Sequence, residues 1–202
     1  MPKKAYHHGD LRVALIEAGL RVLHKDGLDK LSLRGVAREA DVSPMAPYRH
    51  FKDKQALLAA ISENGFKELY ESLEQARMEK PGNIDHAGLA YLRFAQKEPD
   101  NYRLMFTHKI LCEGEVPESL KDISDSAFGS LVENIDIGIA QGSIEPTDSL
   151  HLAVSAWALV HGVALLLIDG VLSGSPFGEM SDSEILAICQ GYFRIGWKTH
   201  TQ

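Results

Sequence analysis

Apolar residues recur along this chain at helical spacing, and almost nowhere at the two-residue spacing of a strand. Leu11, Leu15, Ala18 and Val22 step along one face, and Ile16, Leu20 and Leu23 widen it. Asp10 is a candidate cap for that helix and Gly27 a stop. Ser32 is a good N-cap for a second helix burying Leu33, Val36, Ala37 and Ala40. Asp41-Val42-Ser43 reads as a turn, and a short third helix is expected over 44–51, capped by Ser43 with Pro44 at its first position. A fourth helix opens near Asp53 and runs toward Arg77, burying Leu57, Leu58, Ile61, Phe66, Leu69 and Leu73.

The sharpest break is Lys80-Pro81-Gly82-Asn83. Shorter helices are expected at 87–96 and 100–108, then a loop at 113–117 and a long helix to about residue 141. After a break at 142–146 comes an apolar helix over 148–172, then a Gly/Ser/Pro loop at 173–178. Ser181-Asp182-Ser183-Glu184 is a capping-box pattern, opening a last helix that buries Ile185, Ile188, Cys189, Tyr192, Phe193 and Gly196. The expected fold is all-α with about nine helices. The breaks divide it into a three-helix head at 1–55, the fourth helix at 53–78 as connector, and a larger helical body at 79–202.

Composition changes the picture in one respect. The net charge of −7 argues against a nucleic-acid binder until it is divided along the chain. Residues 1–55 hold eleven Lys and Arg against seven Asp and Glu, a net of +4, and the rest holds ten against 21, a net of −11. A basic head can face phosphate while an acidic body resists nonspecific adhesion. The run 152–168 is apolar except for Ser155 and His161, but it has only acidic flanks, so it reads as a buried core helix rather than a membrane span. The polar N-terminus lacks the pattern of a signal peptide, and Cys112 and Cys189 fit no metal or redox spacing, which points to a reducing cytoplasm.

The second and third segments carry the function. Two short helices joined by a three-residue turn form a helix-turn-helix, whose second helix enters the major groove. Val36, Ala37, Ala40, Val42, Tyr48 and Phe51 are the expected inner positions, and Asp41 is suited to positive φ in the turn. The outward face is then Ser43, Met45, Ala46, Arg49, His50 and Lys52. Arg49 can reach guanine edges or phosphate, and small Ala46 allows close approach. Lys52, Lys54 and the Ser32 hydroxyl suit phosphate contacts, and Arg34 in the second helix joins this set. The Lys3-Lys4 arm suits the backbone or the minor groove.

Residues 11–58 resemble the TetR family of bacterial regulators. The resemblance rests on Gly27, Ser32-Leu33-Arg34, Ala37, Asp41-Val42-Ser43, Tyr48-Arg49-His50-Phe51 and Lys54-Gln55-Ala56-Leu57-Leu58. It implies a phosphate-binding role for Tyr48 and Lys54 and a capping role for Ser32. Asp41 stands where the family usually has Gly, and Pro47 where it has Leu or a similar residue. Pro47 removes the first intrahelical donor, so the third helix is expected to depart from ideal geometry. Trp157-Ala158-Leu159-Val160-His161-Gly162 and Tyr102-Arg103-Leu104-Met105-Phe106 are similar to the body of one branch, that with a Trp-His-Gly type C-terminal domain.

The resemblance further implies a homodimer through the last two helices, about 148–172 and 182–198. It implies a pseudo-palindromic double-stranded operator and a small-molecule effector, as in a cytoplasmic repressor. Tyr102, Met105, Phe106, Trp157 and His161 either line an apolar effector pocket with one polar handle or simply pack a core with a satisfied histidine. Gly162 suits close helix packing. No phosphate-cradling loop, nucleophile elbow or metal-spaced cluster occurs, so no catalytic residue, metal or cofactor is expected. Competing readings are a ligand-free architectural DNA-binding protein with the same head, and a helical enzyme or binding module.

Overall fold

The computed structural model describes residues 8–107, 116–173, 175–176 and 178–198, with backbone alone for 8–10 and 192–198. The expected Lys3-Lys4 arm, Cys112 and the side chains of Tyr192 and Phe193 lie outside these residues. Eight α-helices are described: α1 (His8–Asp26), α2 (Leu33–Glu39), α3 (Lys54–Glu79), α4 (Ile84–Lys97), α5 (Pro99–Met105), α6 (Glu118–Ala140), α7 (Ser149–Ile168) and α8 (Asp182–Lys198). Between α2 and α3 lies a single 3-10 turn, Pro47–Arg49. The fold is all-α, as the periodicity requires.

Two compact units divide the chain. Unit 1 holds residues 1–66 and 100–124, and unit 2 holds 67–99 and 125–202.

In unit 1, α1 spans His8–Asp26, so Asp10 lies within the helix and does not precede it. Gly27 ends α1 with φ +81°, its amide bonded to the Leu23 carbonyl at 2.9 Å. Leu15, Ala18 and Val22 are buried with Leu33, Val36, Ala37, Phe51, Leu57 and Ile61. A methyl on Gly19 would lie 2.7 Å from Ile61 Cδ1, which shows how closely α1 approaches α3. Tyr102, Leu104 and Met105 of α5 complete this core.

In unit 2, α4, α7 and α8 pack against one another. A second apolar cluster joins Ile135 of α6 to Leu152 and Ala153 of α7. The break at 80–83 is fastened by Asn134, whose Oδ1 accepts the Gly82 amide at 2.8 Å. Asp148 caps α7 by accepting the His151 amide at 2.9 Å. The capping box at α8 forms reciprocally: the Glu184 carboxylate accepts the Ser181 amide at 2.8 Å, and Ser181 Oγ accepts the Glu184 amide at 3.4 Å.

Two expectations in unit 2 need correction. Ile185 is buried, but its companion is Leu186, while Ile188 is exposed and Cys189 half-buried. Positions 185 and 186 face the packing side, and 188 is turned about 60° beyond it at 100° per residue. Among the described residues of this chain, a methyl on Gly162 would meet nothing within 4 Å, so the expected close helix packing is not found there.

Candidate nucleic-acid interface

The interface is built on the end of α2. Ser32 is its N-cap, with extended backbone and a side chain that accepts the Gly35 amide at 3.1 Å. At the other end, the Asp41 amide bonds the Arg38 carbonyl at 3.2 Å and the Val42 amide bonds the Ala37 carbonyl at 3.0 Å. This pair of bonds is a Schellman motif, which requires a left-handed residue between them. Asp41 supplies it at φ +52°, the only positive φ at a non-glycine among the described residues. Asp tolerates that conformation better than most side chains, so the position works without glycine.

Beyond the turn the expected α-helix over 44–51 does not form. The Ala46 amide bonds Ser43 at 2.9 Å, Arg49 bonds Ala46 at 3.2 Å and His50 bonds Pro47 at 2.9 Å, all three spanning three residues. Only the last bond, Phe51 amide to Pro47 carbonyl at 2.9 Å, has α spacing. Pro47 explains this. An α-helix starting here needs a donor at 47 for the Ser43 carbonyl, and proline has none; its ring also crowds that carbonyl. Ser43 therefore caps no helix: the residue before the 3-10 turn is Ala46, with no side-chain cap bond.

The short turn also changes which side chains point inward. Pro47 is the buried one, whereas Tyr48, expected among the inner positions, is 43% exposed. Three residues per turn and a buried proline ring rotate position 48 outward. This suits the phosphate contact that the family resemblance implies for Tyr48 better than it suits a core role. Met45 is 67% exposed. Ser32, Arg34, Ser43, Arg49 and Lys52 are exposed too, and Ala46 and His50 are half-buried. Val42 and Ala40 are half-buried, and Phe51 is fully inside.

Two cations on α1 and α3 are committed to other partners. Arg21 of α1 is committed to Glu39 of α2, Nε to Oε1 at 2.9 Å. Lys54 is committed as well, since its ammonium donates to the Leu28 carbonyl at 2.8 Å. Among the described residues no carboxylate pairs with Arg34, Arg49 or Lys52. These three are exposed donors beside a partly exposed tyrosine, the equipment of a surface that meets phosphate and base edges.

The body residues separate. Tyr102 and Met105 are fully buried in unit 1, where Phe106 meets Tyr102 in a tilted contact at 5.1 Å and Phe66 edge-on at 5.3 Å. Trp157 and His161 lie in unit 2, their rings 5.8 Å apart on α7, with Phe128 of α6 6.1 Å from Trp157. The hydroxyl of Tyr91 on α4 meets His161 Nδ1 at 3.0 Å. Burial lowers the His161 pKa below its ordinary 6.5. Tyr91 was not evident in the sequence as a partner, because nothing local marks a buried tyrosine as facing a residue 70 positions away.

Residues 15–61 match the family pattern described as bacterial regulatory proteins, tetR family. Residues 84–188 match that of the tetracyclin repressor-like C-terminal domain. A Rhodococcus sp. RHA1 protein of unknown function is 34% identical, with TM-score 0.80, over 95% of this chain and 98% of that one. A tetR-family regulatory protein from Rhodococcus RHA1 is 23% identical with TM-score 0.64, over 92% of this chain and 94% of that one. A TetR family transcription regulator from Marinobacter aquaeolei VT8 has 21% identity and TM-score 0.64, over 89% and 91%.

Proposed function

Because this chain belongs to the TetR family of DNA-binding, non-enzymatic transcriptional regulators, we propose that it is a cytoplasmic repressor released from a pseudo-palindromic operator by a small-molecule effector. The head is assigned to residues 1–55, the connector to 53–78 and the body to 79–202. The observation that carries the reading is the outward pair Tyr48 and Arg49, on the turn that follows α2 within the matched segment. Arg49 and Met45 read base edges; Tyr48, Ser32, Ser43, Arg34 and Lys52 hold phosphate, and Ala46 permits approach. Lys54 shapes the surface more than it contacts DNA, because its ammonium already has a partner.

Dimerisation is assigned to α7 and α8. On α7 the buried residues Leu152, Ala153, Val160, Val163 and Ala164 occupy one face. Leu150, Val154 and Trp157 are exposed along one side of the helix, and Leu166 on another. Ile188 of α8 is exposed as well. An apolar face of this extent favours burial against a second copy, and two-fold symmetry matches a palindrome. It also accounts for the apolar composition of Ser149–Ile168, which by length and composition alone could cross a membrane. Val154→Glu is expected to yield monomers in sedimentation equilibrium, and an unchanged dimer would exclude this face.

The effector reading rests on unit 2, where Tyr91 and His161 form a polar pair beside Trp157. An effector would act by favouring a spacing of the two heads that cannot fit successive major grooves. The test of function is binding to the DNA upstream of the protein's own gene. A sequence-specific, salt-sensitive complex is expected, and its absence would overturn the reading.

A further inference from the structure

Arg12 stands apart from the other cations of unit 1. It lies on α1, outside the helix-turn-helix, and its guanidinium carbon sits 5.6 Å from the ring centroid of Phe51. Phe51 is buried and closes the recognition turn, its amide bonded to the Pro47 carbonyl at 2.9 Å. Arg12 itself is exposed, and among the described residues no carboxylate pairs with it. The contrast with Arg21, two and a half turns further along the same helix and tied to Glu39, is direct.

A guanidinium held over an aromatic face uses its π surface for that contact. Its N–H donors lie in the guanidinium plane and stay available to oxygen acceptors. The ring also limits the rotamers of a long side chain, so less freedom is lost when those donors engage a ligand. Among the described residues the side chain is thus steered and without a carboxylate partner, at the end of the recognition turn.

We propose that Arg12 is a backbone-phosphate clamp on bound duplex DNA, steered by Phe51 at the end of the recognition turn. The proposal rests on the DNA-binding reading above and adds a contact from α1. A phosphate contact carries no sequence information, so it is measurable on mixed-sequence duplex as well as on the upstream DNA.

The experiment is fluorescence anisotropy of both duplexes against salt, for the wild type, Arg12→Gln, Arg12→Lys and Arg49→Ala, with Tm measured for each. Arg12→Gln is expected to weaken both duplexes alike and to make the salt slope shallower by about one. Arg12→Lys keeps the charge, so its slope should match the wild type while affinity falls in part, because the planar stack is gone. Arg49→Ala should instead reduce the preference for upstream over mixed sequence. A wild-type slope and affinity in Arg12→Gln, beside a weakened Arg49→Ala, would overturn the clamp and leave the function standing. Wild-type protein that binds neither duplex would overturn both. A Tm drop with unchanged slope would assign Arg12 to packing alone and overturn the clamp.

Discussion

The Lys54 ammonium donates to the Leu28 carbonyl across 2.8 Å, joining the first residue of α3 to the loop that follows α1. That carbonyl lies in the segment between Gly27 and Ser32, which joins α1 to α2. Lys54→Met keeps the apolar stem and removes the donor. It is expected to lower stability by about 1–2 kcal/mol, one charge-assisted hydrogen bond, and to weaken DNA binding in proportion to the disorder of that loop. Urea unfolding measures the first quantity. Unchanged stability with lost DNA affinity would make Lys54 a direct phosphate ligand instead.

Pro47 controls the shape of the recognition element. Pro47→Ala restores a donor four residues beyond Ser43 and permits the α-helical bond that proline forbids. Net stability should change by less than about 1 kcal/mol, because the gained bond is offset by greater freedom of the unfolded chain. Hydrogen exchange should then show a protected amide at position 47, and the preferred operator should shift as Tyr48 rotates. A fast-exchanging amide at 47 would mean that the 3-10 turn is imposed by its surroundings and not by proline.

These two residues show what the sequence disclosed and what it withheld. The missing donor at Pro47 is a covalent fact, so the departure from helix geometry was legible. The direction of Tyr48 was not, because it depends on whether successive residues turn by 100° or 120°, and on the proline ring taking the inner place. Asp41 was legible because a three-residue turn after a helix needs a left-handed residue. Lys54 is expected from the sequence to contact phosphate, whereas its ammonium donates to a carbonyl 26 residues away, a partner that no local pattern marks. On α8, a helix rich in apolar residues leaves Leu186 and Ile188 equivalent in pattern, and tertiary packing alone separates them.

In unit 2, Gly82 and Gly138 bring two stretches of backbone close together. A methyl on Gly138 would lie 2.8 Å from the Gly82 carbonyl oxygen, and one on Gly82 would lie 2.9 Å from Gly138 backbone. The side chains of Ile144 and Gln141 also come within 3 Å and can swing aside, but these backbone atoms cannot. Gly138→Ala is therefore expected to destabilise by roughly 1–3 kcal/mol, with Gly82→Ala worse because its φ of +78° adds backbone strain. Thermal melts rank the two. Equal and small effects would show that the loop at 80–83 can move away from α6.

His161 makes stability pH-dependent. Its folded pKa is lowered below 6.5 by burial, so the folded protein favours the neutral ring, whose Nδ1 can accept the Tyr91 hydroxyl proton. The unfolded chain binds a proton first as pH falls. The stabilisation is thus fully present above pH 6.5 and lost as pH drops through the folded value. His161→Gln should flatten denaturation midpoints across that interval relative to the wild type. An unaltered pH profile in the variant would show that other groups carry the dependence.

Footprinting on the DNA upstream of the protein's own gene tests the central claim most directly. The account predicts two protected half-sites in inverted repeat, their centres one helical turn of about 34–36 Å or a multiple apart. It also predicts that Tyr48→Ala/Arg49→Ala abolishes the protection while the variant stays folded. Protection that survives the double variant, or none with the wild-type protein, would contradict it.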